Sequence, residues 1–76
     1  MKYQTIDIET EEIQLDQFLK WAGVVSSGGE VKALLAERRI KRNGETESAR
    51  RRKLHPGDTV EVEGLGNFRV GAAKEQ

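Results

Sequence analysis

The residues best suited to chemistry in this sequence are clustered cations. Residues 38–53 hold eight of the thirteen lysines and arginines against two glutamates, a net charge of +6. Residues 1–16 have the opposite bias, with one lysine against five acids. The net charge of the whole chain is zero, so the average conceals this segregation. A segregated basic stretch indicates a polyanionic partner such as a nucleic acid, and a solvated charged face is the alternative.

The run Arg50-Arg51-Arg52-Lys53 is the densest part of the basic stretch. Neighbouring residues on a strand alternate faces, so four consecutive cations reach one partner together only from a loop. The planar guanidinium group also suits bidentate contact with phosphate. We therefore predict RNA contact by these four residues, with a solvated loop or pairing with the acidic N-terminal residues as alternatives. Replacing the three arginines by alanine is expected to weaken binding and to lower the melting temperature little.

A second candidate site is the start of the second predicted helix. The first N–H groups of a helix lack intrahelical partners and carry partial positive charge. Gly28 and Gly29 leave these groups open to a phosphate, and Lys32 adds a full charge one turn later. We expect Ser27, Gly28, Gly29 and Lys32 to contact RNA. The alternative is that the paired glycines only relax a tight corner between two helices.

A third candidate lies at the junction between the second helix and the following strand, where Arg38, Arg39, Lys41 and Arg42 cluster. Cations near a helix C-terminus also offset its dipole, which is the alternative role. Lys41 and Arg42 should face opposite sides of a strand, so at most one of them joins a given surface. Lys20, on the first predicted helix, completes the predicted set of RNA contacts.

Two further residues, Trp21 and His55, have side chains that could serve a site. Trp21 lies beside the apolar stripe of the first predicted helix, where it either stacks on an unpaired base or covers the edge of the core. His55 is the only histidine and the chain has no cysteine, so neither a metal nor another cofactor is predicted. No Ser-His-Asp order or phosphate-loop signature is present, which predicts a protein without catalysis of its own.

Apolar periodicity predicts the two short helices that position these residues, over residues 14–22 and 28–38. Apolar residues of the first recur at i, i+3, i+4 and i+7, namely Leu15, Phe18, Leu19 and Ala22. Gly23 follows as a residue that ends a helix, and Ser27 with Glu30 fits a capping box for the next helix. Helices this short are unstable alone, so both must pack on other elements.

The strands are shorter and follow from β-branched residues and local alternation, over residues 3–8, 59–63 and 68–70. Asn43-Gly44 predicts a tight hairpin turn between strands at 40–42 and 46–48. Residues 72–76 are expected to fray. We therefore expect one α+β domain over residues 1–76.

Cellular location is constrained by the distribution of apolar residues. No apolar run approaches the roughly 18 residues that a membrane span needs. The first residues are acidic and alternating, whereas a signal peptide is basic and then apolar. We therefore expect no membrane association, no signal peptide and a cytoplasmic location.

In this order the elements resemble the S4 RNA-binding domain, over about residues 13–63. The resemblance is carried by Leu15-Asp16, Leu19, Gly23, Ser27, Leu34-Leu35, Ile40, Asn43-Gly44, Gly57-Asp58, Val60 and Val62. Residues 26–32 and 50–54 resemble the small stand-alone bacterial members more closely. The sequence departs from the family pattern at Arg42, where an apolar strand residue is frequent.

The resemblance implies an α+β, S4-like fold, also termed the alpha-L motif, with two short helices packed on a small, mainly antiparallel sheet. It implies that RNA lies along the helix pair and the adjoining loop. We expect a non-catalytic monomer that binds structured RNA (rRNA or tRNA) and works on the ribosome, in its assembly or in translation. The first alternative is a protein-interaction module that uses the basic face on an acidic partner.

The second alternative is a DNA-binding helix-turn-helix protein. Such a protein reads the major groove with the side chains of its second helix. The second predicted helix offers only Lys32 and Arg38 as basic residues. This disfavours DNA recognition.

Overall fold

The computed structural model describes residues 2–72, which form two helices and seven short strands. In chain order these are β1 Gln4–Asp7, β2 Ile13–Gln14, α1 Leu15–Trp21, α2 Gly28–Ala36, β3 Ile40–Arg42, β4 Glu45–Thr46, β5 Lys53–Leu54, β6 Thr59–Val62 and β7 Gly66–Gly71. The two predicted helices and all predicted strands are present. Of the residues expected to fray, 73–76 lie outside the described residues.

The larger layer is a five-stranded sheet with the order β1-β7-β6-β3-β4. All neighbours are antiparallel except β1 and β7, which run parallel with Ile6 opposite Val70. β2 and β5 form a separate two-stranded antiparallel ladder. Among residues 2–72 the expectation of two short helices with a mainly antiparallel sheet is therefore confirmed.

The core lies between the two helices and one face of the five-stranded sheet. Its largest fully buried side chains are Phe18, Ile8, Leu15, Leu19, Ile40, Leu54, Val31, Val60, Val62 and Val70. Each such side chain stabilises the fold by roughly 1.5–3 kcal/mol relative to an exposed one. Helices of seven and nine residues owe their stability to this packing. Alternation along the strands leaves Lys41, Glu61 and Arg69 on the opposite face of the sheet.

Both helices end with a residue in the left-handed backbone conformation. For α1 this is Gly23, with φ of 78°, as predicted. α2 ends at Ala36, two residues earlier than predicted, because Arg38 adopts φ of 57°. The N–H groups of Arg38 and the next residue bond to the carbonyl oxygens of Leu35 and Leu34, at 3.0 Å each. An arginine therefore occupies a position where glycine is strongly favoured.

The start of α2 corrects the predicted capping box. Ser27 is the N-cap residue, but its side chain makes no capping hydrogen bond. The Glu30 carboxylate instead accepts hydrogen bonds from the backbone N–H and the hydroxyl of Ser26. Glu30 therefore does accept hydrogen bonds from a residue before the helix, as predicted. Its donor is Ser26, one residue earlier than expected.

The Asn43-Gly44 turn joins β3 to β4 as predicted, with φ of 52° and 87° at its two residues. Positive φ at both positions matches the twist of a two-residue hairpin. The returning strand is Glu45–Thr46, so it overlaps the predicted arm 46–48 only at Thr46. It ends there because the next residue, Glu47, turns its side chain into the protein and is 4% exposed.

Candidate nucleic-acid interface

The segment between β4 and β5, residues 47–52, is the basic loop, and it is fastened to the start of α1. The N–H of Leu15 donates to the carbonyl oxygen of Arg52 at 2.8 Å. The N–H of Asp16 donates to the carbonyl oxygen of Arg50 at 3.1 Å. Two N–H groups that lack partners within the helix are satisfied in this way. The backbone of the basic loop is therefore held by α1.

Glu47 orders the basic loop from inside. Its carboxylate accepts hydrogen bonds from Nε of Arg42 at 2.8 Å and from Nε of Arg52 at 3.0 Å. It also accepts the backbone N–H groups of Ser48 at 3.0 Å and Ala49 at 2.9 Å. The side chain is 4% exposed, so this buried acid is fully enclosed by donors.

These donors decide the ionisation state of Glu47. Burial by itself raises the pKa of a carboxyl group, but the hydrogen bonds from Arg42, Ala49, Arg52 and Ser48 outweigh it and lower the pKa to about 2. Glu47 is therefore a carboxylate at neutral pH. Its presence also explains Arg42, the departure from the family pattern, as a partner for a buried charge. Sequence reasoning missed Glu47, although an acid within a basic run is a signal of such pairing.

Beside α2 lies a cavity of about 430 Å³, the α2 cavity. It is lined by Lys32, Leu35, Ala36, Ser48 and Arg50. These residues include two cations and no acid, with apolar side chains between them. The structure thus joins Lys32 of the second predicted site to Arg50 of the basic run. Arg50 also lies 4.0 Å from the Asp16 carboxylate, measured from Nε to Oδ2.

The remaining cations of the run surround a shallower concavity of about 530 Å³, lined by Ala49, Arg51, Arg52, Lys53 and His55. Nζ of Lys53 lies 3.4 Å from Oε2 of Glu12, and Nε2 of His55 lies 3.6 Å from Oε1 of the same residue. Pairing with the acidic N-terminal residues, one of the alternatives, therefore holds for Lys53 and, through Asp16, also for Arg50. Arg51 is exposed and has no ion-pair partner within residues 2–72.

The third predicted cluster lies elsewhere, in a groove of about 320 Å³ that we call the sheet groove. Its lining residues are Arg38, Arg39, Lys41, Glu61, Glu63 and Asn67. Arg39 is held by the Glu37 carboxylate at 3.2 Å and by the carbonyl oxygen of Glu63 at 2.8 Å. The structure therefore separates these cations from the α2 cavity and opposes them with two acids.

The other predicted contacts lie at the ends of the helices. Lys20 is exposed in the last turn of α1. Ser27 and Gly29 are exposed at the start of α2, where Gly28 is half-buried. A Cβ atom at Gly28 would meet nothing within 4 Å, and one at Gly29 only Oγ of Ser27 at 3.7 Å. The described residues therefore do not support the alternative that these glycines relieve crowding between helices.

The described part of the chain offers neither a metal site nor a membrane-spanning helix. Within residues 2–72 no three His, Cys, Asp or Glu side chains are grouped to hold a metal ion. The same residues contain no helix that is long and apolar enough to cross a bilayer. Trp21 is 53% exposed, and its indole N–H donates to the carbonyl oxygen of Asp7 at 2.8 Å. It lies beside the acidic N-terminal residues and does not line the α2 cavity.

Comparison with known proteins places this surface in a family context. Residues 6–70 match the family model described as the S4 domain. The "Probable ribosome maturation protein RlbA" of Bacillus subtilis (strain 168) is 51% identical over 65 residues, which cover 86% of this chain and 92% of the relative. The range matched by the family model includes both helices, the basic loop and β2 to β6 in full.

Proposed function

The chain belongs to the S4 domain family, and from this we propose that it is a non-catalytic, monomeric RNA-binding protein that acts as a single domain. The target we propose is structured ribosomal RNA during ribosome maturation, which implies a cytoplasmic location. The relative named as a probable ribosome maturation protein supports this choice over transfer RNA. We further propose that α1, α2 and the hairpin β3-β4 are the alpha-L motif of this family.

The observation that carries the proposal is the α2 cavity. Lys32 from α2 and Arg50 from the basic loop line the same depression, and no acid lines it. Phosphate contacts supply much of the affinity of proteins for nucleic acids, and duplex RNA presents its phosphates beside a shallow minor groove. A cationic depression on a compact face suits recognition of that shape. Ser48 adds a hydroxyl group that can bond to a ribose or a phosphate.

Three exposed features extend this surface. Arg51 projects from the basic loop without an ion-pair partner among residues 2–72. Lys20 contributes from the last turn of α1. Gly28 and Gly29 present backbone N–H groups that the Ser27 side chain does not cap, so they can receive a phosphate oxygen. Arg52 and Lys53 contribute less, since their acidic partners lie closer, at 3.0 Å and 3.4 Å, than Asp16 lies to Arg50, at 4.0 Å.

The proposal is tested by RNA binding in gel-shift or filter assays, at low and at physiological salt. Binding to a folded ribosomal RNA fragment should weaken steeply as salt increases, because each phosphate contact releases counterions. A single-stranded RNA of the same length is the control and should bind less tightly. Affinity that does not change with salt would contradict a phosphate-based mechanism.

The target is tested in cells by crosslinking followed by sequencing of the bound RNA. Enrichment of ribosomal RNA is expected, whereas enrichment of transfer or messenger RNA would contradict the proposed target. If the chain instead retained a protein partner after ribonuclease treatment and bound no RNA, the basic face would serve an acidic protein.

A further inference from the structure

We propose that a second surface of this protein, distinct from the RNA-binding face, receives a lysine or arginine side chain from a basic protein segment. The surface is the Trp21 cavity, which is lined by Ile8, Glu9, Thr10, Ile13, Gln17 and Trp21. It shares no lining residue with the α2 cavity. Both sites could therefore be occupied at once, and the inference does not depend on the proposed function.

The size of the Trp21 cavity restricts its occupant. Its volume is about 170 Å³. Small-molecule sites usually enclose roughly 300–1,000 Å³, so this depression suits one side chain better than a cofactor. Ile8 and Ile13 give the lining apolar carbon atoms, and Glu9, Thr10 and Gln17 give it polar groups. A long side chain with an apolar stem and a charged end matches this lining.

The exposure and the hydrogen bond of Trp21 indicate that the charged end of the bound side chain is positive. Trp21 is 53% exposed, which is unusual for a residue that can bury a large apolar area. Its indole N–H donates to the carbonyl oxygen of Asp7 at 2.8 Å, so the ring is held in place while about half of the residue stays open to solvent. An open indole face attracts cations, and tryptophan does so more strongly than other aromatic residues.

The surrounding charges favour the same occupant. Glu9 lines the cavity and Glu11 follows two residues later; both are exposed. Within residues 2–72 neither has an ion-pair partner, whereas the nearby Glu12 pairs with Lys53. An RNA base stacked on Trp21 would bring its phosphates close to these carboxylates. Repulsion therefore disfavours the base and favours a cationic side chain.

The single tryptophan makes the test direct, because all tryptophan emission comes from this cavity. The full chain is titrated at low salt with the peptide Gly-Arg-Gly-Arg-Gly and with a twin in which neutral citrulline replaces arginine. A saturable change in emission is expected with the arginine peptide, at an affinity at least about threefold higher than with the citrulline twin. Equal responses to the two peptides would overturn the proposal.

Two variants locate the peptide. Glu9→Gln should weaken binding of the arginine peptide about threefold, since it removes the charge at the rim. Glu45→Gln is the matched control, because Glu45 is an exposed acid on β4, at the far edge of the sheet from β1, and it should leave the affinity unchanged. Equal losses in both variants would show non-specific attraction and overturn the proposal.

Trp21→Leu tests the ring itself and is followed by calorimetry. It should abolish measurable peptide binding, and retention of full affinity would contradict the proposed role of the indole. A melting curve checks that this variant is folded. A single-stranded RNA that changes the emission of the unmodified chain more than the arginine peptide does would instead support base stacking.

Discussion

Residues 50–53 and residues 38–42 each contain four cations, yet the structure uses the two clusters differently. In the first, the opposing acid Glu47 is buried beneath the loop and holds its backbone. In the second, Glu61 and Glu63 lie in the same groove as Arg38, Arg39 and Lys41. A buried acid orders a basic surface from below, whereas acids within a groove neutralise it. We therefore propose that the position of the acids, more than the number of cations, makes residues 50–53 better suited to RNA than residues 38–42.

The largest expected effect comes from removing the acid beneath the basic loop. Glu47→Gln keeps the shape of the side chain but removes the charge that Arg42 and Arg52 contact. The free energy of unfolding should fall by about 2 kcal/mol, since partners of a buried charge lose a strong acceptor. Urea denaturation at neutral pH measures this, and unchanged stability would contradict the role given to Glu47.

The pH dependence of the same variant sharpens the test. The pKa of Glu47 is lowered in the folded protein from 4.5 to about 2. The stabilisation is therefore fully present above the unfolded-state value and is lost as the pH falls through the folded-state value. The difference in stability between the native chain and Glu47→Gln should be constant above about pH 5 and should vanish near pH 2. A difference that persists at the lowest pH would show that charge is not its cause.

A smaller effect distinguishes two neighbouring arginines of the run. Arg52→Ala deprives Glu47 of one partner and should lower the free energy of unfolding by about 1 kcal/mol. Arg51 contacts no acid among residues 2–72, so Arg51→Ala should change the free energy of unfolding by less than about 0.5 kcal/mol. Thermal melting measures both, and a domain of this size shifts by roughly 4–8 °C per kcal/mol. Equal shifts in the melting temperatures of the two variants would contradict the different roles given to Arg51 and Arg52.

This changes the expectation drawn from the sequence for the triple alanine variant. Replacing Arg50, Arg51 and Arg52 together should lower stability as well as affinity, because Arg52 is part of the support of the loop. Arg51→Ala alone is the variant that isolates the effect on RNA binding.

In the other cluster, one substitution should stabilise the protein. Arg38→Gly relieves the left-handed backbone at the end of α2 and should raise the free energy of unfolding by roughly 0.5–1 kcal/mol. Arg38→Ala removes the same charge but retains the Cβ atom, so it should not stabilise the protein. RNA affinity should be unchanged in both variants. A loss of affinity in both would assign Arg38 to the RNA interface.

The smallest effect on stability is expected at the start of α2. Gly28→Ala introduces a methyl group that meets nothing within 4 Å, and it should raise the free energy of unfolding by up to about 0.5 kcal/mol. If the N–H groups at this helix start receive a phosphate, the same methyl group should weaken RNA binding about threefold. Gel-shift titration measures the change in RNA affinity. Unchanged affinity would remove the helix start from the proposed interface.

The sequence predicted those parts of the fold that depend on local signals. The i, i+3, i+4 spacing marked α1, Gly23 marked its end, and Asn43-Gly44 marked the hairpin turn. Each of these signals acts within a few residues and does not require knowledge of the remaining chain. The end of α2 at Ala36 was missed, because an arginine at the left-handed position carries no such signal.

The sequence predicted the cations of the candidate site but not which of them lie together. Lys32 and Arg50 were both candidates, but their common cavity depends on how the basic loop packs against α1. The burial of Glu47 and the separate position of Lys41 likewise depend on contacts between distant elements. Such contacts leave no periodic pattern in the sequence, so a run of cations could not reveal which of them share a surface.

The central claim is that RNA binds at the α2 cavity and not at the sheet groove. The most direct test is the salt dependence of binding to a folded ribosomal RNA fragment, for Lys32→Ala and for its matched control Lys41→Ala. Lys32→Ala should weaken binding about tenfold and reduce the slope of log K against log salt by about 1, as expected for one lost phosphate contact. Lys41→Ala should leave both quantities unchanged. Equal losses in the two variants, or a loss only in Lys41→Ala, would contradict the claim.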